Sequence, residues 1–280
     1  MDEIKFNKMR IPETENPRLI IIGGGFAGIK LAFSLRKENF QIVLFDRNNY
    51  HTFQPLLYQV ATAGLEPDSI AGPLRKQLEP NKNIYFRMAK VQKINPHEKS
   101  IDTEIGNITF DYLIIASGSR TNYYGIESIV NNAFPIKQVS HALDLRHHIL
   151  QNFEAAVNTG NKEKLKRFMN VVVAGGGPTG VEIAGALGEL KKSVLPNDYP
   201  ELDISKMQIF LVEGQSRLLG SMRPKSSERA LRYLKKIGVE VKLNTLVESF
   251  DGQYAKFSNG KQVETQTVIW ASGVKGNIIK

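Results

Sequence analysis

The 280-residue sequence contains no cysteine. Disulfides, cysteine-ligated zinc and iron–sulfur clusters are therefore excluded, as is a redox dithiol relaying electrons through protein sulfur. If this chain moves electrons, they pass directly from a bound cofactor to an acceptor. Long apolar runs are missing too. Leu19–Ile22 and Val171–Ala174 have the length of buried strands and fall far short of the ~20 residues that span a bilayer. Met1–Arg18 mixes Asp2, Glu3, Glu13 and Glu15 with basic residues and has no apolar core. The expectation is neither a secretory leader nor an acid-poor transit peptide, and hence a cytoplasmic protein.

The net charge is +9, but no long basic cluster carries it. Nucleic acid is therefore not an expected partner. An anionic membrane leaflet, nucleotide phosphates or simply a basic surface each remain compatible with it. No metal site is expected.

What is present is a sequence written twice. In the first copy, the apolar run Leu19–Ile22 leads into Gly23-Gly24-Gly25-Phe26-Ala27-Gly28, then a helical stretch, then a strand Ile42–Phe45 ending in Asp46. A group of β-like segments and Ala116-Ser117-Gly118 follow. In the second copy, Val171–Ala174 leads into Gly175-Gly176-Gly177-Pro178-Thr179-Gly180, a helix, and a strand Ile209–Val212 ending in Glu213. Short strands and Ala271-Ser272-Gly273 close it, after nearly the same span as in the first copy. Lys191–Lys206 reads as an extended surface excursion that lengthens the distance from Gly175 to Glu213. The predicted fold is α/β, two Rossmann-like dinucleotide-binding domains, each with an inserted β-meander.

Each part of this pattern answers a physical need. The first glycine makes a tight turn, the second lets backbone approach a pyrophosphate, and the third lets helix and strand pack closely. The helix N-terminus offers free N–H groups and a positive dipole end to the phosphates. An acid at the end of the next strand can accept hydrogen bonds from an adenosine ribose, and it repels a 2′-phosphate. A lone G-x-G-x-x-G is a common turn. Two in the same context are a design.

The chain resembles the type II NADH dehydrogenases, single-subunit, non-proton-pumping flavoproteins that pass electrons from NADH to quinone. The likeness rests on Gly23–Gly28, His51-Thr52-Phe53-Gln54-Pro55-Leu56-Leu57-Tyr58-Gln59-Val60-Ala61, Gly175-Gly176-Gly177-Pro178-Thr179-Gly180-Val181-Glu182 and Trp270–Asn277. It implies the glutathione-reductase-like fold with two dinucleotide-binding domains. Residues 1–130 would bind FAD, 131–168 would form a helical connector, 169–266 would bind NADH, and 267–280 would begin the return to the FAD domain. By that resemblance Gly23, Gly25 and Gly28 hold the FAD pyrophosphate and Asp46 its ribose. Gly175, Gly177, Gly180 and Glu213 do the same for NADH. His51–Ala61, with Phe53 and Pro55, lies against the flavin, and Glu182 stands near the stacked nicotinamide and flavin as the catalytic carboxylate. Ala116, Gly118, Ala271 and Gly273 mark close backbone passages beside the cofactors. His51 is read as a packing or flavin-pocket residue, and Trp270 as core.

In the family the polypeptide beyond this point returns to the flavin domain, contributes a Gly-Asp motif and quinone-site residues, and lies on the inner face of the cell membrane through terminal amphipathic helices. None of these segments is in the 280 residues. The expectation is a fragment of a longer enzyme, ahead of a naturally shortened protein, with an open FAD site, weak FAD retention and a tendency to self-associate, a homodimer being one outcome. Two other readings stay open. One is a ferredoxin-reductase-like or oxidase-type flavoprotein on the same doubled fold. The other is a non-catalytic NADH-binding module.

Overall fold

The computed structural model describes residues 7–78 and 83–279. These form two compact units. Among the described residues the first is drawn from 7–52, 71–78, 83–120 and 275–279, the second from 53–70 and 121–274.

In the first unit, strands β1 (Arg18–Ile22), β2 (Gln41–Asp46) and β3 (Ile84–Met88) lie side by side, and helix α1 (Phe26–Ser34) connects the first two. A meander follows, of β4 (Val91–Asn95), β5 (Ser100–Thr103) and β6 (Gly106–Thr109), and then β7 (Tyr112–Ile115). The main sheet runs β3-β2-β1-β7 and is parallel throughout. Inside their polar end residues its central strands, Leu19–Ile22 and Ile42–Phe45, are apolar at every step because both faces are covered, as parallel sheets require. Ile20, Ile22, Val43 and Phe45 pack with Ile101 and Ile108 of the meander. The alternate residues Leu19, Ile21, Ile42 and Leu44 pack with Ile29 and Ala32 of α1.

The second unit repeats the plan. Helix α2 (Leu57–Ala61) and the long helix α3 (Val139–Val157) precede β8 (Val171–Ala174), α4 (Pro178–Ser193), β9 (Ile209–Val212) and α5 (Pro224–Lys236). Next come β10 (Val239–Lys242), the meander β11 (Val247–Phe250), β12 (Tyr254–Phe257) and β13 (Gln262–Glu264), and finally β14 (Thr267–Trp270). The short strand Phe134–Pro135 pairs with β14, giving a parallel sheet in the order Phe134–Pro135, β14, β8, β9, β10. Proline at the first position of α4 suits a helix start, where its missing N–H is no loss. Trp270 is core, 4% exposed, and its indole N–H donates to the Asn122 carbonyl at 2.8 Å.

The segment 191–206 is not an extended excursion. It folds into a short helix, Leu195–Asp198, and a helical turn, Ile204–Lys206. Leu195, Ile204 and Met207 are all buried. Leu195 and Ile204 anchor the segment, and Met207 lies directly beyond it. Among the described residues no helix is long and apolar enough to cross a membrane.

Candidate functional site

Both parallel sheets reverse strand order at their first strand: β1 is flanked by β2 and β7, and β8 by β9 and β14. Such a switch point opens a crevice beyond the carboxyl ends of the strands, where α/β sheets take their ligands. The glycine loops sit there.

In the first unit Gly23 has φ +114, a conformation open to glycine and strained for other residues. A Cβ there would run into the Ala116 carbonyl, and one on Gly28 into the carbonyl of Gly23. Those two glycines are thus consumed by the turn itself. Gly25 is different: a Cβ would meet nothing within 4 Å, so its open side is available to a ligand. The second unit reproduces this. Gly175 has φ +108 and lies against the Ala271 backbone, Gly180 lies against the Gly175 carbonyl, and Gly177 faces open space.

The two strand-end acids have a structural task. Asp46 accepts the Gly24 N–H at 2.6 Å and the Asn48 N–H at 2.8 Å. Glu213 accepts the Gly176 N–H at 2.5 Å and the Gln215 N–H at 2.7 Å. Each carboxylate therefore ties its strand to the middle of the glycine loop. A carboxylate has about four acceptor positions, so two remain on each for a ribose. Around Glu213 the loop is held further by Arg217, whose guanidinium donates to the Gly220 and Met222 carbonyls at 2.5 and 3.2 Å.

His51 belongs to the first loop. Its Nδ1 lies 3.0 Å from the Gly24 carbonyl and its ring meets Phe26 edge-on at 5.0 Å. It positions the loop, in keeping with a packing role. Three residues that the motifs did not reveal hold the small-residue crossings. In the first unit the Asn277 side chain donates to the Ser117 carbonyl at 2.6 Å and its backbone N–H to Gly118 at 3.1 Å. In the second the Tyr124 hydroxyl donates to the Ser272 carbonyl at 3.0 Å, and the Asn122 N–H to Gly273 at 3.0 Å. The only sequence signal for Asn277 was its place inside the Trp270–Asn277 likeness. Asn122 and Tyr124 carried none.

The second unit also contains a cleft of about 600 Å³ between α2, α4 and α5. Tyr58 and Gln59 line it from α2, Glu182 and Glu189 from α4, and Tyr233 from α5. Glu182 lies one helical turn past Pro178. Desolvation at the cleft wall pushes its carboxyl above the ordinary value, which favours the neutral acid. The Tyr233 hydroxyl bonds to Glu189. Phe53 and Pro55 are exposed, Phe53 at 45%, and belong to the second unit. A general preference of phenylalanine for the core does not hold at Phe53.

Residues 17–279 match the family described as pyridine nucleotide-disulphide oxidoreductase. The chain is 33% identical over 268 residues to the type II NADH:quinone oxidoreductase Ndh of Mycobacterium tuberculosis, covering 93% of this chain and 58% of that protein. It is 30% identical over 276 residues to the type II NADH:quinone oxidoreductase of Staphylococcus aureus, covering 94% and 66%. Among solved structures, NDH2 from Plasmodium falciparum in complex with NADH superposes with a TM-score of 0.86 at 24% identity, covering 95% of this chain and 56% of that one. The sulfide:quinone oxidoreductase of Aquifex aeolicus superposes with a TM-score of 0.76 at 23% identity, covering 94% and 60%. These two likenesses show the fold. The chain thus spans between 56% and 66% of these relatives' own length.

Proposed function

Because the chain belongs to the pyridine nucleotide-disulphide oxidoreductase family, we propose that it oxidises NADH through bound FAD, with a quinone as electron acceptor. The observation that carries this reading is the duplicated loop: one glycine with open space before it, a helix N-terminus behind it and a tethered carboxylate beside it, in both units. The residues fit two dinucleotides. Gly25, on the turn that Gly23 and Gly28 build, and Asp46 would hold FAD, with Ala116 and Gly118 at the crossing beside them. Gly177, on the turn that Gly175 and Gly180 build, and Glu213 would hold NADH, with Ala271 and Gly273 in the equivalent place. When bound, FAD supplies the two-electron chemistry, reduced by NADH and reoxidised by quinone.

The chain's own contribution is positioning. The two loops fix the pyrophosphates through backbone N–H groups and helix dipoles. The Glu213 carboxylate selects against a 2′-phosphate. Glu182, whose carboxyl is pushed above its ordinary value by burial at the cleft wall, is the carboxylate placed to act beside the nicotinamide in this reading. The family name refers to disulphide chemistry, but these 280 residues contain no cysteine, so no dithiol within them relays electrons from the cofactor. The names of the curated relatives support quinone as the acceptor, and a quinone dissolved in the bilayer is reached from a peripheral position at the membrane surface.

The test is the visible spectrum of the FAD-loaded protein, first with NADH and then with a short-chain quinone. Flavin bands that bleach and then recover are expected. NADH binding without bleaching would contradict the enzyme and leave a binding module. Bleaching without recovery would contradict quinone as the acceptor.

A further inference from the structure

The positive charge of the chain is dispersed along the sequence, but α5 gathers part of it on one ridge. Lys225, Arg229, Arg232 and Lys236 follow one another at spacings of three and four residues, which places them one above the next on a single helix face. All four are exposed, while Ser227 and Leu234 on the opposite side are buried. Arg223, at the N-cap, is exposed as well. From Glu213 to Lys236 there are seven lysines and arginines and two glutamates, a net charge of +5 in a chain of +9.

This ridge works against the helix that carries it. Like charges three and four residues apart repel, and the four side chains make three such pairs in succession. Arg223 and Lys225 stand at the helix start, where the macrodipole already ends positive, and the first turn has no acid. Glu228 is the one acid of α5. Among the described residues, no ion pair joins it or any of these cations to a partner. Lys235 and Lys236, in the last turn, do complement the dipole. For Arg223, Lys225, Arg229 and Arg232 neither the dipole nor internal pairing gives a reason. An anion from outside would relieve their repulsion.

The place of the ridge points to the anion. α5 begins at the carboxyl edge of the second sheet, directly after the loop that leaves β9. That loop is fastened to the glycine turn: the Leu219 N–H donates to the Gly176 carbonyl at 2.8 Å, and the Met222 N–H to the Leu219 carbonyl at 2.7 Å. Arg223 is the next residue. The start of the ridge therefore stands beside the crevice read above as the NADH site. We propose that the α5 ridge is an electrostatic guide that speeds capture of the dinucleotide, whose pyrophosphate carries two negative charges. Charge of one sign beside a cleft raises the local concentration of an oppositely charged substrate, and with it the on-rate. The ridge also offsets Glu213, whose carboxylate repels the incoming pyrophosphate. Resting on that reading of the crevice, it acts on the approach of the nucleotide rather than on the bound state.

Stopped-flow capture of NADH by the full chain, followed by nucleotide fluorescence, tests this between about 20 mM and about 1 M salt, a range that shortens the reach of charge to ~3 Å. The neutral pair Lys225→Gln with Arg229→Gln and the charge-keeping pair Lys225→Arg with Arg229→Lys are compared with the wild type. At low salt the neutral pair lowers the association rate constant about three- to tenfold and leaves dissociation unchanged. The difference disappears at high salt. The charge-keeping pair matches the wild type, Glu228→Gln associates faster, and the neutral pair melts no lower than the wild type because a repulsion has been removed. An unchanged association rate in the neutral pair overturns the proposal, as does a loss that salt does not erase or that appears in dissociation. Phosphatidylserine vesicles that bind the wild type and not the neutral pair, with NADH capture unchanged, assign the ridge to a lipid surface and overturn it too. If the neutral pair does not fold, the wild type decides alone, and an association rate independent of salt overturns the proposal. A wild type that does not bind NADH at any salt removes the reading of the crevice itself, and the proposal with it.

Discussion

Replacing Gly177 and Gly180 by alanine, one at a time, separates what the loop does for the ligand from what it does for the fold. Gly177 has φ −73 and ψ −177, which alanine adopts freely, and its Cβ would meet no atom within 4 Å. Gly177→Ala should therefore leave the fold intact or gain about 0.4–1 kcal/mol from the less flexible unfolded chain. The same methyl stands where a pyrophosphate must approach, and losing that close contact weakens NADH by about 10- to 100-fold, or ~1.4–2.8 kcal/mol. At Gly180 the Cβ runs into the Gly175 carbonyl, and backbone cannot yield as a side-chain tip does. Overpacking of that kind costs ~1–3 kcal/mol, a fall in melting temperature of roughly 2–12 °C for a unit of this size. Thermal melts and calorimetric titration with NADH read both effects. A Gly177→Ala protein that binds NADH like wild type, or that is destabilised, would refute the reasoning.

Three further outcomes are expected. Glu213→Gln keeps one acceptor for a backbone N–H but removes the negative charge, so the preference for NADH over NADPH should shrink about tenfold or more, read as the ratio of dissociation constants. Asn277→Ala leaves the Ser117 carbonyl without its donor. It should lower stability by ~1–2 kcal/mol and speed FAD loss while leaving NADH affinity unchanged. His148 is held below its ordinary value of 6.5, chiefly by burial, against the raising effect of its hydrogen bond to the Gln266 carbonyl. The unfolded chain binds this proton more readily, so stability is complete above pH 6.5 and is lost as pH falls towards the depressed folded value. Melting temperatures measured across that range should fall on the acid side, and His148→Gln should flatten the fall.

Much of the fold was legible because its signals are local. Two glycine loops, each between an apolar run and an acid-terminated strand, mark Gly23–Asp46 and Gly175–Glu213 without any knowledge of distant contacts. The tethers were not legible. Asn277 reaches Ser117, and Tyr124 reaches Ser272, across long stretches of chain, and an asparagine or tyrosine gives no periodic signal of its partner. The helix Leu57–Ala61 shows the same limit. Leu57, Val60 and Ala61 mark a buried face at helical spacing, but the spacing does not say that the face joins the second unit. In the segment 191–206, Pro196, Asp198, Pro200 and Asp203 suggest loop, whereas buried Leu195 and Ile204 anchor two short helical pieces. Tertiary packing overrode composition there.

The central claim is that one chain holds two different dinucleotides at two equivalent loops. Equilibrium titration of the cofactor-free protein with FAD and with NADH, alone and together, tests it most directly. One equivalent of each is expected to bind without mutual competition, with Gly25→Ala weakening only FAD and Gly177→Ala weakening only NADH. A single equivalent shared by both nucleotides, or one glycine substitution that abolishes both, would contradict it.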